Sequence, residues 1–340
     1  MKDHPFIRAC RRETVPYTPI WLMRQAGRYM PEYRAVRARH GFLEMCKKPE
    51  AAAEVTVRAV ERLGVDAAII FADILLIVEP LGFGLEFVEA SGPVIHDPVR
   101  APADVDRLAD IDAAAELTFV YEAVRQAKAA LKVPLIGFAG APFTLASYII
   151  EGSGSRNYLR TKRFMYSEPE AWHTLMRRLT DATSSYLNEQ IAAGADAVQL
   201  FDSWVGCLAP EDYRRFVQPH VKRLIADLSP GIPVIHFGTD TSGILELQRD
   251  AGGDVIGLDW RIDLASGWER LGADVAVQGN LDPIALFAPL DELRDRTIRI
   301  LDAADGRAGH IFNLGHGILP ETPVDNVVAL VDMVHEISSR

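Results

Sequence analysis

Eight short apolar runs, alternating with helix-like stretches, constrain the fold of this chain more than any other feature. They are TPIWLM (18–23), VDAAIIF (65–71), VPLIGFA (133–139), ADAVQLF (195–201), IPVIHF (232–237), GDVIGLD (253–259), ADVAVQG (273–279) and HIFNLG (310–315). Their hydrophobicity is near-continuous rather than alternating, as parallel strands buried on both faces require. Between them, apolar residues recur at spacings of three and four, the period of a helix packed on one face. Examples are residues 49–64, 113–131, 169–194 and 210–228.

Three of those stretches open with Pro-Glu, a good first turn because proline fits N1 and an acid suits the positive helix end. Gly64 and Gly194 follow the last periodic residues, a C-cap pattern. Strand and helix in alternation predict an α/β fold with a parallel sheet. Eight units predict a single (β/α)8 TIM barrel spanning residues 1–340, with an insertion after strand two where LGFGLEFVEASGPVI reads as a hairpin. An open doubly wound sheet is the alternative, weakened by the lack of a Gly-rich turn after the first run. Gly-x-Asp strand starts recur as weak internal repeats, and no linker divides the chain.

An apolar share of 49% and a charged share of 24% fit a globular chain of 340 residues. Cys10, Cys46 and Cys207 lie far apart and form no CxxC pair, which suits a reducing compartment. The N-terminus lacks a secretory apolar stretch, and no run reaches the ~18 apolar residues of a membrane span. A cytoplasmic protein with no membrane or nucleic-acid partner is expected. The net charge is −11, yet residues 1–62 carry a balance of +6, with arginines at 24, 28, 34, 37 and 39. A basic patch on an acidic body points to a specific anionic ligand, or to a solvated basic helix face.

Barrel sites form at the C-terminal ends of strands. There the sequence places Arg24 and Arg28, Asp73, Tyr148, Asp202 and Ser203, His236 and Asp240, Asp259 and Trp260, Asn280 and Asp282, and His316. Structural roles compete for each. The arginines can pair with carboxylates. Asp73 can cap a helix, and Ser203 can serve as an N-cap. Tyr148 can sit in the core. His316, between two glycines, lies where backbone can approach a ligand. The sequence holds no phosphate loop, no GxGxxG, no HExxH and no GxSxG.

PIWLMRQAGRYMPEYR (19–34) closely resembles the N-terminal signature of the uroporphyrinogen decarboxylase family, and GFAGAPFTLASYIIEG (137–152) resembles its second signature. IIFADIL, LFDSW and NLGHGI follow in the family's order and spacing. The resemblance implies a homodimeric, cytoplasmic (β/α)8 enzyme of haem synthesis that uses no metal and no organic cofactor. Its substrate would be uroporphyrinogen III, whose four acetate side chains lose CO₂ to give coproporphyrinogen III. Carried over, the substrate-binding residues are Arg24, Gln25, Ala26, Gly27, Arg28, Arg37, Asp73, Tyr148, Ser203 and His316, with Asp73 the transition-state stabiliser. The proton donor stays open among Arg37, Tyr148, His316 and water.

Eight substrate carboxylates would explain the arginine cluster, because the planar guanidinium binds carboxylate bidentately. Two other readings remain. Zinc methyltransferases resemble distant relatives, but Cys46 and Cys207 do not supply their ligand pattern. A non-catalytic polyanion carrier would keep the arginines without needing Asp73.

Overall fold

The computed structural model describes residue 1 and residues 3–88, 92–108 and 113–340. Its strands are β1 (Ala68–Ile69), β2 (Gly84–Val88), β3 (Gly92–His96), β4 (Leu135–Gly140), β5 (Ala197–Asp202), β6 (Val234–Gly238), β7 (Val255–Gly257), β8 (Ala276–Gln278) and β9 (His310–Ile311). Seven form one parallel sheet in the order β1-β4-β5-β6-β7-β8-β9. Seven of the eight apolar runs thus supply its strands, and every strand residue from β6 to β9 is buried. β2 and β3 form the expected hairpin after the second run; its tip, 89–91, lies outside the described residues.

The first run departs from expectation. Residues 18–23 contribute a single parallel bridge, Ile20 to Phe312. Side chains replace the missing ladder. The Asp66 carboxylate accepts from Ile20 N at 2.8 Å, Gln25 Oε1 from Leu22 N at 3.0 Å, and Asn313 Oδ1 from Met23 N at 3.1 Å.

The Gly-x-Asp repeats have a structural meaning. Asp66, Asp196 and Asp254 each make the same reciprocal pair with an earlier residue. Their backbone N–H donates to the carbonyl of Ile20, Leu135 and Val234 respectively, while their carboxylate accepts that residue's N–H at 2.8 Å. Leu135 and Val234 start β4 and β6, so Ile20 occupies the equivalent place ahead of β1. Inside the sheet, Trp21 Nε1 donates to Gln278 Oε1 at 2.8 Å, and Gln278 Nε2 to Gln199 Oε1 at 3.0 Å. This buried polar line ties the first run to β8 and β5.

The helices over 49–63 and 169–193 end at Gly64 and Gly194, both in the left-handed conformation that glycine adopts without steric cost. Two expected helices are broken. Residues 113–131 form Ala113–Glu116 and Thr118–Ala130, parted at Leu117. Residues 210–228 form Pro210–Phe216 and Gln218–Ala226. Pro219 has no N–H to return to the preceding turn and disfavours helical geometry before it, so the chain resets at Val217. Trp172 packs against Phe143 with ring centroids 6.0 Å apart, which seats the long helix on Pro142–Glu151. Each such buried aromatic contributes about 1.5–3 kcal/mol.

Candidate active site

Residues 24–28 leave the Ile20 bridge as a braced loop. Arg24 takes φ 62°, which turns the chain sharply at a non-glycine residue. Gln25 is fully buried; besides accepting from Leu22 N, its amide donates to Ala67 O at 3.1 Å. The Tyr29 hydroxyl donates to Gln25 O at 2.8 Å, and Arg34 donates to the carbonyls of Arg28 and Tyr29. Gln25 and Arg34 therefore shape the loop, while the Arg24 and Arg28 side chains stay exposed on it.

Those arginines are not neutralised. Among the described residues no carboxylate lies within salt-bridge distance of Arg24, Arg28 or Arg37, although many arginines elsewhere pair, such as Arg223 with Asp181 and Asp227. Arg37 donates to His40 O at 2.7 Å. Burial pushes the Tyr33 phenol up, and Arg37 and Arg28 both act to bring it back.

Arg24 is the electrostatic hub. Burial raises the Asp73 carboxyl above its ordinary value, opposed by the Leu75 N–H, which it accepts at 2.9 Å, and by Arg24. Its second oxygen has no hydrogen-bond partner among the described residues. Asp73 caps no helix: one oxygen holds the Leu75 N–H in the turn and the other is left over. Burial, reinforced by Asp73, also pushes the Tyr148 phenol upward, with Arg24 again opposing. The Tyr148 ring stacks on Trp204, centroids 3.8 Å apart, which brings in the neighbouring Ser203. Ser203 caps no helix; its carbonyl accepts from the Thr239 hydroxyl.

His316 completes the group. Its Nδ1 accepts from Gly317 N at 2.7 Å, which fixes the tautomer bearing hydrogen on Nε2. Burial, with Arg24 and Arg261 beside it, holds the imidazole down at about 4. At neutral pH His316 is an uncharged N–H donor. The two flanking glycines are needed for packing. A Cβ at Gly315 would overlap Trp260, and one at Gly317 would overlap the Arg24 side chain.

Other rim candidates serve structure. Asn280 donates to Asp259 O and Ile262 O, Asp282 caps Pro283–Phe287, and His236 is buried with Nδ1 against Gly252 O. Sequence reasoning missed Arg261, which bridges Asp240 at 2.9 Å and Asp259 at 2.6 Å and stacks on Trp260 near His316. No motif marks that role. Among the described residues no three His, Cys, Asp or Glu side chains gather as a metal-ligand set, and no helix is long and apolar enough to cross a membrane.

Solved structures share this architecture. A methyltransferase from Methanosarcina mazei superposes with TM-score 0.78 at 18% identity, covering 98% of each chain. A B12-independent methionine synthase from Shewanella sp. W3-18-1 gives TM-score 0.57 at 13% identity over 88% of this chain and 90% of that one. At such identities the likeness is one of fold. Sequence is closer elsewhere. Curated uroporphyrinogen decarboxylases from Carboxydothermus hydrogenoformans and Sorangium cellulosum are each 57% identical, covering 98% of this chain and 96% of theirs. A family profile described as uroporphyrinogen decarboxylase (URO-D) matches residues 1–337. On that coverage and identity, this chain belongs to the uroporphyrinogen decarboxylase family.

Proposed function

We propose that the protein removes the four acetate carboxyl groups of uroporphyrinogen III to give coproporphyrinogen III. The observation that carries this reading is the set of carboxylate-free arginines, 24, 28 and 37, with Asp73 beside Arg24. A polyanionic substrate supplies the missing counter-charges. Arg24, Arg28 and Arg37 bind its carboxylates, His316 donates Nε2–H to another, and Tyr148 and Ser203 offer hydroxyls. The braced loop offers Ala26 and Gly27 through its backbone, while buried Gln25, its own N–H and carbonyl bonded to Leu22 and Tyr29, holds the loop's shape rather than touching substrate.

Each decarboxylation needs an electron sink, and the pyrrole ring serves. A proton adds to the ring carbon next to the one bearing the acetate, giving a cationic ring conjugated with the acetate arm. The bond to CO₂ breaks and its electron pair neutralises the ring. The exocyclic methylene then takes a proton as the ring carbon returns its own, so one proton is consumed and one CO₂ released per acetate. A fixed carboxylate under the pyrrole N–H groups stabilises the cation before CO₂ leaves. Asp73 fits, because Leu75 N–H anchors one oxygen and the other is available. Burial opposes its ionisation, and the N–H groups of the bound substrate would favour it. His316, neutral, and Tyr148, a weaker acid than a free phenol, suit binding and orientation rather than proton supply.

We also infer that the sheet closes into an eight-stranded (β/α)8 barrel over residues 1–340, with the hairpin as its insertion. Ile20 supports this: it bonds to Asp66 on one side, and its neighbours Pro19 and Trp21 bond to Phe312 on the other. A cytoplasmic homodimer is part of the same reading.

The test is anaerobic incubation with uroporphyrinogen III, without added metal or cofactor, and separation of products by carboxylate number. Conversion through seven-, six- and five-carboxylate species, reduced about 10²–10³-fold in Asp73→Asn, is expected. A folded wild-type protein that binds the substrate without turnover would leave the carrier instead.

A further inference from the structure

We propose that Thr144 and Asp202 form a positioning pair that sets Trp204, and through it the Tyr148 ring. The inference rests on the decarboxylase reading for its activity test and on geometry for its substance. Thr144 lies in the first turn of Pro142–Glu151, and Asp202 is the last residue of β5. Both are fully buried. The Thr144 hydroxyl donates to Asp202 Oδ1 at 2.8 Å and accepts the Trp204 backbone N–H at 3.3 Å. One hydroxyl therefore ties the start of a helix, the end of a strand and the residue after Ser203. Trp204 in turn stacks on Tyr148 at 3.8 Å with planes 29° apart, and Tyr158 closes on its ring at 5.3 Å.

This closed loop is unusual in one respect. Tyr148 lies on the same helix as Thr144, one turn on, so the Trp204 ring is held by its backbone at Thr144 and by its face at Tyr148. Shifting either end tilts the Tyr148 phenol, which lies near enough to Asp73 to feel its charge. Asp202 is no ordinary rim carboxylate. Its Oδ2 is buried with no partner among the described residues, as is the nearby Tyr213 hydroxyl. Burial, partly offset by Thr144, pushes its carboxyl up to about 7. A half-neutral acid accepting one hydroxyl is far less costly to bury than a full charge.

The experiment compares wild type, Thr144→Val and Thr144→Ser in two assays. Near-UV circular dichroism reads the stacked Tyr148–Trp204 pair without substrate, with Trp204→Phe identifying its band. Steady-state decarboxylation of uroporphyrinogen III reads kcat and KM separately. Thr144→Val should lose the band and lower kcat about tenfold with KM nearly unchanged, because misplacing a fixed group acts on the reacting geometry. Thr144→Ser should restore both. If the valine variant does not fold, Thr144→Ala takes its place. A valine variant that keeps the band, or keeps kcat within twofold, overturns the proposal. An inert wild type overturns the decarboxylase reading instead, and the band alone then decides the pair.

Discussion

Arg24 lies across Gly317, its side chain filling the space where any other residue would place a Cβ. The glycine after His316 is thereby a seat for an arginine 293 positions earlier. Gly317→Ala should displace Arg24 without touching its charge. Losing one charge-assisted pairing costs about 1.5–3 kcal/mol, so kcat/KM for uroporphyrinogen III should fall roughly 10- to 150-fold. Initial-rate kinetics on the folded variant check this. A change of less than twofold would show that the arginine does not need this seat.

His316 should stay neutral across the range where the protein is assayed. Burial and the two nearby arginines depress its folded value to about 4, below the ordinary 6.5. Imidazole resonances in a ¹⁵N-labelled sample should show a neutral ring with hydrogen on Nε2 from pH 6 to 8, assigned by comparison with His316→Gln. A midpoint near 6.5 would return the residue to the list of proton donors. The same depression has a stability consequence, shared with buried His236 and His310, each also lowered to about 4 by burial. The unfolded chain binds these protons first. Their contribution is therefore complete above about pH 6.5 and is lost as pH falls toward 4.

Asp202 runs the other way. Its folded value, about 7, lies above the ordinary 3.8, so the native state holds the proton longer than the unfolded one. Its contribution favours the fold below pH 3.8 and weakens as pH rises to about 7, with a slope of at most about 1.4 kcal/mol per unit. Asp202→Asn cannot ionise. The difference in unfolding free energy between variant and wild type, from urea titrations, should therefore shift in the variant's favour between pH 4 and 7 and level off above. A flat difference would mean that Asp202 ionises normally.

Much of the fold was legible because strands buried on both faces must read as unbroken apolar runs, and seven of the runs did so. The first was legible as a run but not as a strand, since its N–H groups are taken by Asp66, Gln25 and Asn313 side chains. Nothing local in TPIWLM distinguishes a partner carboxylate from a partner strand. Around Arg24, the expected gathering of Asp73, Tyr148 and His316 from separate strand ends agrees with the charges each of them feels. The left-handed turn at Arg24, the buried fate of Gln25 and the hold of Thr144 on Trp204 were not legible. Each depends on residues that are distant in sequence or on a backbone angle that arginine rarely adopts.

The clamp on the first run gives the most demanding test of closure. Asp66 accepts from the Tyr17 hydroxyl at 2.9 Å, from Ile20 N at 2.8 Å and lies 2.8 Å from His335 Nε2 on the C-terminal helix. Asp196 makes the corresponding bond to Leu135, but β4 is already paired with both β1 and β5. Asp66→Ala removes several hydrogen bonds to a buried carboxylate and should cost about 3 kcal/mol or more in urea unfolding. Arg24 stands four residues beyond Ile20, so kcat/KM should fall well below wild type even where the variant is folded. Asp196→Ala should lose stability while keeping most of its activity, because its strand retains two partners. Equal activity losses in the two variants would mean that the first run is no more dependent on its clamp than an interior strand, and the inferred closure through Ile20 would then fail.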